Sequence, residues 1–385
     1  MKHVPFFKPL LDEREEQAVL RILRSGWLTT GKETLTFENE FADFVGAKYA
    51  FAVNSATSGL LLALDACGVG PGMAVITSPY TFASTATSAV HLGAEILYAD
   101  INSDDYNINP TCVERLLREH KNVKAIIPIH IAGNVCNMQA LNELAKQYGV
   151  KVVEDAAHAF PAKTQNGFAG TLGDAGVFSF YATKTITTAE GGMVCTNDAK
   201  IAERVKTMRM HGIDRAVWER YTGEKASWQY DVIEAGWKCN LPDILSAIGR
   251  VQLQKAMEMF EMRKAIVAYY NERFSGNECL LIPPDSDGNA WHLYLLRIVP
   301  ERLKISRDAV IARLQENGLG MSMHFIPHFY FTWFKNTYHL DEKNFPNAKR
   351  MYETSMTLPL YPGMTQEDAA YVADTVLDVI EKVKK

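Results

Sequence analysis

The sequence predicts an α/β fold: a large domain with a mostly parallel sheet covered by helices, and a smaller C-terminal α+β domain. Two observations carry this. Short apolar runs rich in β-branched and aromatic residues alternate with amphipathic helical segments through the first 155 residues, joined by brief connections. After residue 240 the alternation gives way to one long helical pattern and then a separate set of strand and helix signals.

In order, EEQAVLRILRSG and TLTFENEFADFVG repeat apolar residues at helical spacing, and YAFAVN reads as the first strand. SGLLLALDAC, TFASTATSAVHLG, VERLLREH and MQALNELAKQYG then read as helices, between the strands MAVITS, AEILYAD, VKAIIPIH and KVVEDA. Two further apolar strands run from GDAGVFSFYATK to GGMVCTN, and IAERVKTMRMHG is helical. From LPDILSAIGR to YYNERF the spacing predicts one long bridging helix, followed by the strand WHLYLLRIV, the helix RDAVIARLQENG and a C-terminal helix from Gln366. The expected division is residues 1–250 and 251–385. In open parallel sheets ligand groups collect beyond the carboxyl ends of the strands, so the ends of VVED and AVN become places to search.

At 385 residues the chain can bury a large core without disulfides or metals, and 47% hydrophobic with 22% charged residues is a globular composition. The net charge of −5 gives no basic footprint for nucleic acid. The six cysteines form no C-x-x-C pair, which argues for reduced structural thiols. The opening MKHVPFFKPLLDEREE meets charge too early for a signal peptide, and no stretch reads as a membrane span, so a cytoplasmic protein is expected.

Asp155 closes the strand KVVED, where it is either a ligand group or an N-cap. Lys184 follows the strand VFSFYAT with no charged residue between it and Asp174 or Glu190. Apolar walls there would lower its pKa and favour Schiff-base chemistry, although an isolated lysine is more often a surface residue. The pair says more, because pyridoxal 5′-phosphate needs an amine to hold its aldehyde and a carboxylate to keep its ring nitrogen protonated. Asn54 to Gly59, with Ala56 and Thr57 at its centre, offers small and hydroxylated residues at a helix start, a phosphate cup or an ordinary cap. Ser179 adds a hydroxyl. Phe82 stacks on a cofactor ring or belongs to the core, and His158 is a cofactor neighbour or a satisfied buried histidine.

The ordered motifs NSATSG, PYTFAST, EDAAHA, FSFYATKTITTAEGG, HG and NLPDILSAIG resemble the sugar-nucleotide aminotransferases of the DegT/StrS family, over nearly the whole chain. The resemblance implies the aspartate aminotransferase fold (fold type I), a homodimer with active sites at the subunit interface, and transfer of an amino group, with glutamate the expected donor, to a nucleotide-linked keto-sugar. It makes Lys184 the Schiff-base lysine, Asp155 the pyridine-nitrogen partner and His158 a cofactor neighbour; these three are the expected catalytic residues. Ala56, Thr57 and Ser179 match phosphate binders, Phe82 a ring-stacking position, and Asn240 an asparagine that reaches the phosphate from the other subunit. His324 matches a substrate-side position, and GWLTTGKETLTFE, with Trp27 and Thr29, resembles the substrate-side N-terminal segment. Relatives often carry histidine where this chain has Tyr181 and proline where it has Lys32, differences that bear on the sugar.

TKTITTAEGG and GWLTTG most resemble enzymes acting at C4 of UDP-linked keto-sugars, in amino-sugar biosynthesis for lipopolysaccharide or other surface polysaccharides. A 3-keto-sugar aminotransferase would share every cofactor residue. A sugar dehydratase of the same family would have histidine in place of Lys184, and a non-catalytic regulator would need an added DNA-binding segment. Gly68, Gly70 and Gly72 follow a helix and precede a strand, the reverse of a dinucleotide fingerprint. His324 and His328 have zinc-pair spacing, but Pro327 interrupts any helix between them and no third ligand is evident, so no metal is expected.

Overall fold

The computed structural model describes residues 2–214, 229–284 and 288–385. Its strands are β1 (Tyr49–Val53), β2 (Ala74–Thr77), β3 (Glu95–Tyr98), β4 (Val123–Ile126), β5 (Lys151–Asp155), β6 (Lys163–Thr164), β7 (Gly167–Phe168), β8 (Ala175–Ser179), β9 (Gly192–Thr196), β10 (Leu280–Leu281), β11 (Tyr294–Ile298) and β12 (Ser355–Leu358). Seven of them form one sheet in the order β1-β9-β8-β5-β4-β2-β3, in which β9 alone runs against its neighbours. Both faces are covered, which is why these strands read as near-continuous apolar runs rather than alternating ones.

Two elements depart from the spacing-based reading. The strand VKAIIPIH stops at Ile126, because Pro128 has no N–H to give the ladder; its carbonyl instead accepts from the Asp155 N–H at 2.9 Å. The long bridging helix is two helices, Asp243–Gln254 and Ala256–Phe274, and the expected division at residue 250 falls inside the first. The break is at Lys255, which is 1% exposed. Its ammonium reaches the Glu15 carboxylate, the Leu10 carbonyl at 3.3 Å and Asp12 at 3.2 Å. Three acceptors from the N-terminal segment satisfy a buried cation only if the chain turns at that residue.

The C-terminal half packs the three-stranded antiparallel sheet β10-β11-β12 against the helices Ala256–Phe274, Arg307–Glu316 and Gln366–Val383, around Tyr270, Tyr294, Val310, Leu314, Val372 and Val376. Val4 joins this core from the other end of the sequence, its N–H donating to Gly318 O at 3.0 Å and its carbonyl accepting from Gly320 N at 2.8 Å. No helix among the described residues is long and apolar enough to cross a membrane.

The N-terminal segment is clamped by a distant residue. The helix Lys32–Val45 has no side-chain cap of its own. Asp243, 3% exposed, supplies one: its Oδ1 accepts from Gly31 N (2.7 Å), Thr34 N (3.0 Å) and Thr34 Oγ1 (2.6 Å), and its Oδ2 from Glu33 N (3.2 Å). A carboxylate at a helix N-terminus satisfies orphan donors and complements the dipole. Asp243→Ala is expected to lower unfolding free energy by about 2–4 kcal/mol, since it removes a cap and leaves buried amides unpaired. Urea denaturation of the variant checks this.

Candidate active site

β5 and β8 are parallel neighbours, with Asp155 in register with Val177. Both end at the same sheet edge, over a cavity of about 660 Å³. Its lining brings together eight of the residues singled out from the sequence: Ala56, Thr57, Phe82, Asp155, His158, Ser179, Lys184 and His324.

Asp155 is held by both ends of its peptide unit, its N–H on Pro128 O and its carbonyl accepting from His130 N at 3.3 Å. Its Oδ2 accepts from Thr85 Oγ1 at 2.8 Å and its Oδ1 from Ala157 N at 3.2 Å. Because the Thr85 hydroxyl donates to the carboxylate, the Thr81 hydroxyl 2.8 Å away is the donor in the Thr81–Thr85 contact. Burial raises the Asp155 carboxyl above its ordinary value, even though Thr85, the Ala157 amide, Lys184 and His130 all act to lower it. A protonated ring nitrogen is the kind of partner that such a desolvated carboxylate lacks.

Lys184 sits in the loop between β8 and β9, which threonines fold back on itself. Phe180 N donates to Gly191 O (2.9 Å), Thr188 N and Thr187 Oγ1 both donate to Phe180 O (3.0 and 3.1 Å), and Thr188 Oγ1 donates to Glu190 O (2.6 Å). The lysine backbone closes a turn onto Tyr181 O at 2.9 Å. The side chain keeps partial exposure, into the cavity. Burial pulls its amine down to about 8, against the opposing pull of Asp155. No ion pair joins the two within 4.0 Å among the described residues, so the cavity separates them.

At the start of the helix Ala56–Ala66, Ser55 takes the Ser58 N–H through its hydroxyl (3.1 Å) and the Gly59 N–H through its carbonyl (3.0 Å). The amides of Ala56 and Thr57 have no protein acceptor among the described residues, which suits a phosphate group. Gly192 lets the strand pass close behind: a Cβ there would lie 2.9 Å from Ala56 N and 2.7 Å from Phe178 O. Phe82 is 62% exposed, an open aromatic face on the cavity wall rather than a core residue. These features fit pyridoxal phosphate: an amide cup for the phosphate, an aromatic face, a desolvated carboxylate and an amine of lowered pKa.

The histidines on the wall are neutral. His158 Nδ1 accepts from Ala132 N at 3.3 Å, which assigns its proton to Nε2, and its ring stacks on Phe325 at 5.4 Å. Burial, then the charge of Lys184, holds it well below the ordinary histidine value. His324 Nδ1 lies 3.0 Å from Thr357 Oγ1, its ring stacks on Phe6, and burial pushes it down to about 3. His328 lies away from the cavity, its Nδ1 on Tyr98 OH at 2.9 Å and its ring on Phe334.

Asn240, Trp27 and Thr29 are not on the cavity wall. They gather in the clamped N-terminal patch, where Asn240 Nδ2 donates to Thr30 Oγ1 at 2.6 Å, Thr29 O accepts from Asp243 N at 3.3 Å, and the Trp27 indole packs against Gly31. Sequence spacing missed Thr85 and His292. The latter lines the cavity with its ring 4.5 Å from that of His158, and its only signal was a histidine just ahead of the apolar strand Tyr294–Ile298.

The Lys184 amine gives a measurable pH dependence. It is cationic below about 8 and increasingly neutral above it, whereas a solvated lysine stays cationic to its ordinary value of 10.5. Covalent capture of pyridoxal phosphate by the apo-protein is therefore expected to accelerate between pH 7 and 9 and to level off above 9. Stopped-flow absorbance measures the rate, and a continuing rise to pH 10.5 would place the amine in water.

The sequence profile of the DegT/DnrJ/EryC1/StrS aminotransferase family matches residues 9–377. The chain is 40% identical to the spore coat polysaccharide biosynthesis protein SpsC of Bacillus subtilis over 381 residues, covering 98% of this chain and 97% of that one. Its fold matches Helicobacter pylori PseC, an aminotransferase involved in the biosynthesis of pseudoaminic acid, with TM-score 0.91 and 28% identity over 99% and 100% of the two chains. It also matches the putative sugar aminotransferase Spr1654 of Streptococcus pneumoniae in its PMP form (TM-score 0.91, 29% identity, 98% and 99% covered) and in its PLP form (TM-score 0.90). With the fold, the site and these relationships in agreement, the chain belongs to the DegT/DnrJ/EryC1/StrS aminotransferase family and is a pyridoxal phosphate-dependent sugar aminotransferase of fold type I.

Proposed function

We propose that this enzyme moves an amino group from glutamate to a nucleotide-linked keto-sugar, a UDP-linked 4-keto-sugar, as a cytoplasmic homodimer serving surface-polysaccharide biosynthesis. The observation that carries the reading is the convergence of Lys184 and Asp155 on one cavity at the carboxyl edge of β5 and β8. Kinship with a spore coat polysaccharide biosynthesis protein supports a surface-polysaccharide role. The 4-keto-sugar rests on the motifs TKTITTAEGG and GWLTTG.

Pyridoxal phosphate, when bound, supplies an aldehyde carbon for amine exchange and a ring that withdraws electrons from the carbon losing its proton. Lys184 would hold the aldehyde carbon. Asp155 would hold a proton on the ring nitrogen, with Thr85 and the Ala157 amide fixing the carboxylate's orientation. The amides of Ala56 and Thr57, with Ser179, would hold the phosphate, and Phe82 would cover one face of the ring. The Lys184 Nζ would also take the donor's α-proton as a general base, and a value of about 8 places it well for that at neutral pH. Neutral His158 would act beside the ring through its remaining Nε2–H.

Asn240, Trp27 and Thr29 do not line this chain's own cavity. In a homodimer the clamped patch that holds them would complete the partner's site.

Lys184→Ala is expected to lose turnover with glutamate by about 10²–10⁴-fold. After borohydride reduction the wild-type Lys184 peptide should carry the cofactor's mass and the variant none; equal labelling of the variant would remove Lys184 from its role. Asp155→Ala should remain folded by circular dichroism and lose about 10²–10³-fold in turnover. A panel of keto-sugar nucleotides assayed with glutamate tests the substrate, and preference for a 3-keto-sugar would overturn the 4-keto assignment.

A further inference from the structure

Of the three cavity histidines, His292 alone has both ring nitrogens without a protein partner among the described residues. His158 and His324 each commit one nitrogen. His292 is 5% exposed and lines the cavity, so the little exposure it keeps is to the cavity rather than to bulk water. Its position is over-determined: its N–H donates to Ala132 O at 3.0 Å and Ala290 N donates to Gly133 O at 3.0 Å. Gly133 sits at φ +102, where a Cβ would come within 2.9 Å of Ala290 and of Trp291 N. A rigidly placed histidine whose ring nitrogens no protein group uses is available to a ligand that enters the cavity.

Behind this wall lies a second unpaired group. Arg263 is on the buried face of the helix Ala256–Phe274, between Met259, which shares a core cluster with Ala290, and Ile266, which shares one with Trp291 and Tyr294. It is 2% exposed, and neither its Nε nor its Nη2 finds an acceptor among the described residues. Its charge is felt at His292, and so is that of Lys184. A buried cation without a counter-ion is costly, and an anion held nearby lowers that cost.

We propose that His292 binds a carboxylate of the amino-acid donor, with Arg263 positioned behind it to supply the compensating field. This rests on the aminotransferase reading given above. The donor's carboxylate is favoured over the sugar nucleotide's diphosphate by connectivity. An amino acid carries its α-carboxylate on the same carbon as the amine, so an anion near the Lys184 end of the cavity is one that the donor can present there. In a sugar nucleotide the diphosphate is separated from a 4-keto carbon by the sugar ring, which keeps that anion away from the reacting centre. Arg263 does not line the cavity and therefore acts by its field rather than by contact with the ligand.

The test uses the holoenzyme variants His292→Phe, Arg263→Met and Arg263→Lys. Calorimetry measures affinity for glutarate, a dicarboxylate with no amine to transfer, and steady-state kinetics measures KM for glutamate and for the keto-sugar nucleotide separately. His292→Phe and Arg263→Met are expected to weaken glutarate at least tenfold and to raise KM for glutamate by a similar factor, with KM for the sugar nucleotide changed less than twofold. Arg263→Lys should recover most of the loss, which a packing role would not allow. Unchanged glutarate affinity in His292→Phe, or a rise in KM for the sugar nucleotide instead, would overturn the proposal, and His292→Phe decides it even where Arg263→Met fails to fold. If the wild-type enzyme takes an amino group from no amino acid, both this proposal and the functional reading fall; if it does so and His292→Phe binds glutarate normally, this proposal alone falls.

Discussion

The pairing of β5 with β8 sets the chemistry of this molecule. Because the two strands run parallel and in register at Asp155 and Val177, they finish at one edge of the sheet. One delivers a carboxylate there, and the other releases the loop that carries an amine. Parallel neighbours bring sequence-distant residues to a common edge without a special loop. The remaining features refine this arrangement: Pro128 ends β4 and turns its carbonyl to the Asp155 amide, and the threonines of the 180–190 loop return the chain to β9.

The site is defined by desolvation as much as by its side chains. Burial moves Asp155 up and Lys184, His158, His292 and His324 down, in each case toward the uncharged form. The result is a cavity whose amine is only weakly basic and whose imidazoles are neutral hydrogen-bonding groups rather than cations. Carboxylate and amine lower each other's cost across the gap without forming an ion pair. A closed ion pair would hold the amine as ammonium and occupy the carboxylate that a ring nitrogen needs.

Much of this was legible in the sequence because it is local. The alternation of strand and helix, the small hydroxylated residues after β1, and the charge-free surroundings of Lys184 are all properties of short windows. What escaped was non-local. Lys255 looks like a tolerable helix residue until Glu15, Asp12 and Leu10 arrive from the N-terminal segment and break the helix around it. Thr85 reads as one more helical threonine, yet it orients Asp155 across 70 positions of sequence. His292 becomes part of the site only when the C-terminal half docks on the segment around Ala132. The absence of Trp27 and Thr29 from the cavity wall was equally invisible, since their motif marks a patch and not its place relative to Lys184.

The Asp243 clamp also has a consequence for how the chain is made. The carboxylate that finishes the helix Lys32–Val45 lies 209 positions downstream of Thr34. At synthesis rates of about 5–20 residues per second, roughly 10–40 s separate the two on the ribosome. Through that interval the N-terminal segment has its helical sequence but neither its cap nor the Lys255 anchor, so Ala18 and Ile22, which pack on Ala247 in the finished fold, wait in solvent. A segment made well before its partners is thus among the last to be secured, and it stays unfinished while residues of the central sheet are already free to pair.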